Sequence, residues 1–169
     1  MVTAQPHFEK EKELKLGARI RKIRMFRNIT QKELGRRLGY GESSADVRIA
    51  QYESGQRTPK QETLIRIAEI LEVDVRNFLS PGIATMDELM ETLFWMDEEN
   101  RELFHLFLVN DPESETVGIT ISDKKTICYL QEWMDKKKKL DDGRITEEEY
   151  LEWKLHWPED KRKTEYKTV

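Results

Sequence analysis

The sequence predicts a mainly α protein: a five-helix unit, then a small α+β unit of helices with a β-hairpin. Three observations carry this. Helix-capping signals recur along the chain (Thr30 with Glu33, Thr85 with Glu88, Thr146 with Glu149), each placing a hydroxyl and a carboxyl where a helix start has orphan N–H groups. The one clearly alternating β-branched run is Val117-Gly118-Ile119-Thr120-Ile121, the period of a strand. Ser80-Pro81-Gly82 breaks the chain between the two regions. The expected divisions are a polar N-terminal lead at 1–13, a helical domain at 14–80, a dimerisation or regulatory domain at 81–158 and a frayed tail at 159–169.

Taken in order, Leu16, Ile20 and Ile23 fall at i, i+4, i+7 on one helix face, starting near Leu14. Asn28 tolerates the left-handed backbone and stops that helix. Thr30 opens a short second helix that ends at Gly39. Ser43 or Ser44 caps a third, running to about Ser54 and stopped by Gly55. Thr58-Pro59-Lys60-Gln61 has proline at a first helical position and opens a fourth helix to about Leu71; Asp74 caps a fifth, Val75 to Leu79. Past the break, Thr85 caps a helix to about Trp95. Leu103 to Val109 is apolar and aromatic, and Asn110-Asp111-Pro112 is turn chemistry, which together read as a hairpin. The first arm also reads as a helix extending from Glu98, since so short an apolar run has no decisive period. Ser122 caps a helix to about Lys139 with Ile127, Leu130 and Met134 inward. Asp141-Asp142-Gly143 turns the chain into a last helix that ends before Pro158.

Composition bounds the function. Charged residues are 37% of the 169 and the hydrophobic set is also 37%, enough for small cores rather than a large enzyme core. The longest apolar run, Leu106-Phe107-Leu108-Val109, cannot span a bilayer. Met1 to Lys15 lacks the apolar stretch of a signal peptide, so a cytoplasmic protein without membrane association is expected. One cysteine, Cys128, precludes an internal disulfide framework and a multi-cysteine metal site. Net charge is −4, divided unevenly: residues 1–80 hold 16 Lys and Arg against 11 Asp and Glu, residues 81–169 hold 13 against 22. A front half at +5 suits a polyanion, and a back half at −9 would be repelled by one. Ordinary scatter between two surfaces gives the same asymmetry, so motifs must decide.

The second and third helices decide. Two helices crossing steeply over a tight turn need a small residue where their backbones meet and a glycine at the turn. Gly35 and Gly39 supply these, Leu34 and Leu38 the inner face, and Ile49 and Tyr52 the buried edge of the following helix. Around them stand Leu16-Gly17-Ala18-Arg19-Ile20-Arg21, Thr30-Gln31-Lys32-Glu33-Leu34, Tyr52-Glu53-Ser54-Gly55-Gln56-Arg57-Thr58-Pro59 and Thr63-Leu64-Ile65-Arg66-Ile67-Ala68. This constellation resembles the phage-repressor-like (XRE-type) helix-turn-helix family over about residues 14–79.

The resemblance implies double-stranded DNA as partner, read by the third helix of a dimer. It implies that Gln31 contacts the DNA backbone or a nearby base and that Gln51 faces base edges, where glutamine pairs with adenine. Asp46, Val47 and Arg48 fall at or near the N-terminal turn of that helix, and Arg57 and Lys60 approach phosphates. Arg24 and Glu53 match a structural ion pair. One departure stands out: nine residues separate Gly39 from Ile49, more than the family usually has. The extra residues, within Tyr40 to Ala45, lengthen the turn or add to the recognition helix, which leaves open which of Ser44, Asp46, Val47 and Arg48 reaches a base. Asp46 would repel phosphate unless it accepts from cytosine or caps the helix.

Little else carries chemistry. His7, His105 and His156 lack a ligand cluster; Cys128 is expected to pack among apolar neighbours; Glu147-Glu148-Glu149 offsets a helix dipole. No cofactor, metal or catalytic set is expected. The aromatic residues of the back half, from Phe94 and Trp95 to Trp153 and Trp157, exceed what so small a unit readily hides, which points to a homodimer interface; the alternative is a single-chain core wrapped by two helices. The expected function is a sequence-specific transcriptional regulator, a dimeric repressor of bacterial or mobile-element type. The alternative is an antitoxin-like module whose back half binds a partner protein while the helix-turn-helix autoregulates.

Overall fold

The computed structural model describes residues 6–79, 83, 85–111 and 114–158. These form eight helices and one two-stranded antiparallel sheet, in two compact units. The first unit comprises the described residues before Thr85 together with those from Lys154; the second is Thr85–Trp153. The break expected at Pro81-Gly82 and the tail from 159 lie outside the described residues, as does Pro112.

In the first unit α1 (Pro6–Phe26), α2 (Gln31–Arg37), α3 (Ala45–Glu53), α4 (Gln61–Ile70) and α5 (Arg76–Leu79) surround a small core. Ile20 and Ile23 of α1, Leu34 of α2, Ile49 of α3 and Ile67 and Leu71 around α4 are fully buried. Asn28 takes φ 55° just past α1, as its tolerance of that region suggests. Arg27 closes the far end of α4, donating from Nε to the Leu71 carbonyl at 2.8 Å, where a cation also meets the negative end of the helix dipole. The Asp74 carboxylate accepts from the Arg76 backbone at 2.8 Å and caps α5.

Several boundaries differ from expectation. Residues 6–13, expected as a polar lead, are the first turns of α1. Thr58 does not cap α4; the N-cap is Lys60, extended at ψ 161°, and Thr58 instead donates to Glu13 of α1. Ser44 sits at the N-cap of α3, but its hydroxyl turns back to the Gly41 carbonyl at 3.3 Å. At Thr30 the hydroxyl accepts from the Glu33 amide at 3.1 Å, while the Glu33 carboxylate pairs with Arg37 one turn on.

The first unit also takes in residues far along the chain. Leu155 is 4% exposed, and its carbonyl accepts from the Asp74 amide at 3.2 Å and from Asn77 Nδ2 at 2.8 Å. Arg19 of α1 in turn donates to the Asn77 carbonyl at 2.6 Å.

The second unit holds α6 (Met86–Glu99), β1 (Phe104–Asp111), β2 (Ser114–Ile121), α7 (Lys124–Asp141) and the start of α8 (Glu147–His156). Both halves of the capping boxes at Thr85/Glu88 and Thr146/Glu149 form. Helix α6 runs to Glu99, one turn past Trp95, and the ambiguous arm is a strand. Asn110 and Asp111, expected in the turn, continue β1 and pair with Glu115 and Ser114. Asp123 rather than Ser122 caps α7, accepting from Thr126 N at 2.7 Å. Helices α7 and α8 are clasped by aromatic residues: Trp133 Nε1 donates to the Tyr150 hydroxyl at 2.7 Å, and Trp153 Nε1 to Glu132 at 2.8 Å. Tyr150 and Trp153 stack at 5.8 Å and are buried.

The rest of that unit is open. Leu130 and Met134, expected inward, are exposed on α7 together with Trp133, and Phe94 and Trp95 are exposed on α6. Cys128, expected to be packed, is exposed too. A single-chain core therefore does not absorb the aromatic surplus. Among the described residues no helix is long and apolar enough to cross a membrane.

Candidate nucleic-acid interface

Helices α2 and α3 meet backbone to backbone. A Cβ added at Gly35 would lie 2.4 Å from the Ala45 carbonyl oxygen and 2.7 Å from its Cα, so only glycine permits this crossing. Gly39 follows with φ 89°, a conformation that side chains other than glycine's rarely adopt. The added residues lengthen the turn and leave the helix short: α3 begins at Ala45. The long turn is fastened at both ends. The Tyr40 hydroxyl lies 3.0 Å from that of Tyr52, and Glu42 reaches back to α2, 2.5 Å from Arg36 Nε and 3.1 Å from Lys32 Nζ. Those hydrogen bonds, Arg36 first, hold the Glu42 carboxyl down at about 2. Burial, and then the bond to Tyr40, pushes the Tyr52 phenol up to about 12.

Behind α3 lies a buried ionic hub. Arg24 donates from Nε to Glu53 Oε1 at 2.6 Å and from Nη2 to Oε2 at 3.1 Å, and its Nη1 reaches the Ile29 carbonyl at 2.7 Å. Gln31 Nε2 adds a bond to Glu53 Oε2 at 2.8 Å. The pair is thus the structural one the resemblance implied. Three donors on one buried carboxylate offset the desolvation that makes such pairs costly when incomplete.

The candidate contact residues divide accordingly. Ser44 at the N-cap and Val47 and Gln51 on α3 fall at i, i+3, i+7 along one face; Val47 is 54% exposed and Gln51 half-buried. Asp46 is exposed in the first turn. Arg48 sits on the flank, its guanidinium 5.6 Å from the centre of the Tyr40 ring. The Arg57 backbone donates to the Gln51 carbonyl at 3.1 Å, which sets the exposed Arg57 beside the end of α3. Lys60, also exposed, stands at the N-cap of α4. Gln31 is drawn apart, its amide nitrogen engaged with Glu53.

A helix-turn-helix family model matches residues 20–78. That segment is a helix-turn-helix domain. A relative, the cryptic phage CTXphi transcriptional repressor RstR of Vibrio cholerae, is 26% identical over 103 residues, covering 61% of this chain and 81% of its own. The solved structure of the transcriptional regulator BswR is 25% identical and covers 48% of this chain and 92% of that one, at a TM-score of 0.34.

Three features of the helix-turn-helix domain escaped sequence reasoning. Gly17 lets α1 touch the end of α3: a Cβ there would lie 2.5 Å from the Tyr52 carbonyl oxygen. A glycine amid good helix formers was the available signal. The Tyr40–Tyr52 pair and the Glu42 tie both belong to the lengthened turn, whose conformation no local pattern specifies. Among the described residues no group of three His, Cys, Asp or Glu is placed to hold a metal ion.

Proposed function

We propose that the protein is a sequence-specific transcriptional regulator that binds double-stranded DNA, a dimeric repressor of bacterial or mobile-element type. The observation that carries this reading is the outward face of α3, where Ser44, Val47 and Gln51 line up beside Asp46 and Arg48 with Arg57 and Lys60 at the far end. A helix of this kind lies in the major groove, its side chains meeting base edges while cations beyond it meet phosphates. Gln51 pairs with adenine and Val47 meets a thymine methyl group. The +5 front half supports attraction to the duplex, and the repressor name of the relative agrees in kind.

One such helix reads only a few base pairs, so useful affinity calls for a second module at high effective concentration. The second unit is suited to provide it. The exposed fractions of its large apolar side chains, at about 150–200 Å² each, amount to roughly 1,500 Å² per chain. Summed over α6, α7 and the hairpin, that total is about twice the ~800 Å² each partner contributes to a standard interface, so part of it suffices for one.

Selection of bound sequences from a random DNA pool, with the full chain, is the primary test. On the selected site, Gln51→Ala is expected to cost about 1–3 kcal/mol, concentrated at one base position. Arg57→Ala is expected to weaken all sequences alike and to lower the salt dependence by about one phosphate contact. Unchanged affinity and preference in Gln51→Ala would remove α3 from the groove. The open apolar surface also supports a second reading, the antitoxin-like module, in which it holds a different protein. Light scattering of the purified chain separates the two: a dimer covers the surface with itself, a monomer leaves it for another partner.

A further inference from the structure

We propose that two copies of this chain join β1 to β1 in antiparallel fashion, completing a four-stranded sheet in the order β2-β1-β1-β2; this rests on the dimer proposed above and names its central contact.

The first argument is the pattern of the two strands. In β1, Phe104, Leu106 and Leu108 share one face, and Phe107 and Val109 lie with His105 on the other. Apolar residues on both faces mark a strand that is covered on both sides, which the inner strands of a sheet are more fully than its edges. In β2 only one face is apolar (Val117, Ile119, Ile121), while Thr116, Gly118 and Thr120 form the other, the alternation of a strand with one side toward water. Yet among the described residues the sheet has two strands, which leaves β1 at an edge. Pairing β1 with a second β1 gives each strand the position its pattern fits.

The second argument is the edge itself. Strands that end a sheet are ordinarily short, or carry lysine or proline, which discourages pairing with another chain. β1 is eight residues long, Phe-His-Leu-Phe-Leu-Val-Asn-Asp, with neither; β2 has the same length and also lacks both, so the faces of the strands and the lean of Phe107 tell the two edges apart. Its central aromatic residue also leans away from that edge. The Phe107 ring lies over Gly118 of β2, so close that a Cβ there would meet Cζ at 2.4 Å. The outer backbone of β1 is therefore clear of its bulkiest side chain, as an approaching strand requires.

The third argument is area and symmetry. Leu106 is 70% exposed and Leu108 76% exposed, so the sheet's apolar face is among the largest parts of the open surface. A strand paired antiparallel with its own copy satisfies a two-fold axis, each residue i meeting a residue j that meets i in return. Pairing β1 with its copy sets Leu106 and Leu108 beside partner side chains on the same face, which covers part of each laterally.

Cross-linking of the full chain tests the pairing. In a Cys128→Ser background, single cysteines are introduced by His105→Cys, Leu106→Cys, Phe107→Cys, Leu108→Cys and Val109→Cys, with Val117→Cys and Thr120→Cys on β2, and oxidised with copper phenanthroline. Opposed residues on paired antiparallel strands are about 4.5–5.5 Å apart at Cα, and each residue away from the two-fold adds about 7 Å. Disulfide formation is thus expected to peak at one β1 position and vanish within two residues on either side. Positions on β2, about three strand spacings or ~14 Å apart, lie beyond disulfide reach and are expected to stay uncross-linked. A dimer by light scattering that cross-links through β2, or nowhere on β1, overturns the pairing and leaves the dimeric regulator standing. A monomeric chain overturns both. Amide exchange of the unsubstituted protein provides a second readout, independent of any variant: the outward amides of β1 are expected to be protected and those of β2 not, and equal exchange on both strands would refute the pairing.

Discussion

Leu155 is the place to ask whether the helix-turn-helix domain is complete in the first eighty residues. Its side chain is buried in the first unit and its carbonyl serves as acceptor for Asp74 and Asn77, which open α5. Leu155→Ala removes three carbons from a site only 4% exposed. At about 0.8 kcal/mol per buried carbon the transfer loss is roughly 2.4 kcal/mol, and the residual cavity brings the expected cost to about 2–5 kcal/mol. The backbone bonds survive the substitution, so the loss measures packing alone. Amide exchange of the full chain is the suitable assay, because it reads the first unit without requiring both units to unfold together. The slowest amides around Ile67 and Leu71 should exchange about 30-fold faster or more, the factor that 2 kcal/mol corresponds to. Lys154→Ala, an exposed neighbour, should change little. Exchange unaltered in Leu155→Ala would mean that the domain closes without α8. A fragment ending at residue 80 lacks both the plug and the acceptor, and is expected to be the least stable of the set.

Two further outcomes follow from the same geometry. Gly35→Ala gains about 1 kcal/mol of helix propensity but drives a Cβ to 2.4 Å from the Ala45 carbonyl oxygen; because backbone must yield, a net loss of about 2 kcal/mol by urea unfolding is expected, and a variant as stable as the parent would refute the close crossing. The Glu42 carboxyl, ordinarily at 4.5, is held at about 2 by Arg36 and Lys32. Its stabilising contribution is therefore complete above pH 4.5 and disappears as the pH falls through 2. Carboxyl NMR titration should find this depressed midpoint, with Arg36→Ala moving it back up; a Glu42 midpoint near 4.5 in the parent chain would break the tie between turn and α2.

The helix-turn-helix domain was legible because its signals are local and sterically strict. Gly35 and Gly39 are demanded by a backbone contact and a positive φ, and the resemblance placed the Arg24–Glu53 pair correctly. Where the sequence misled, a second solution was locally equivalent. Pro6 followed by His-Phe-Glu-Lys-Glu-Lys-Glu contains good helix formers, but the apolar stripe that packs begins only near Leu14, so the first turns of α1 read as a tail. Thr58 and Lys60 both precede α4, and Thr58 is removed from the cap by a partner 45 residues away, Glu13. The added turn residues could not be assigned to helix or loop, because the tie that resolves them, Tyr40 to Tyr52, joins two elements.

The second unit shows a different limit, and it bears on function. Periodicity identified an apolar stripe on α7 containing Ile127, Leu130 and Met134, and the stripe exists. What periodicity cannot specify is the surface that covers it: one chain buries Tyr150 and Trp153 near the α7–α8 clasp and leaves Leu130, Trp133 and Met134 open. The same holds for β1, whose two faces are apolar while among the described residues of its own chain it has one neighbouring strand. Among the described residues the helix and strand periods of this unit are realised, whereas its burial pattern is not. A sequence selected to fold alone would place charge on those faces, as α7 does at Lys136 to Lys139. The mismatch between local pattern and open core supports the proposed division of labour, in which the basic half carries the groups that would meet DNA and the acidic half the surface that would bring two copies together.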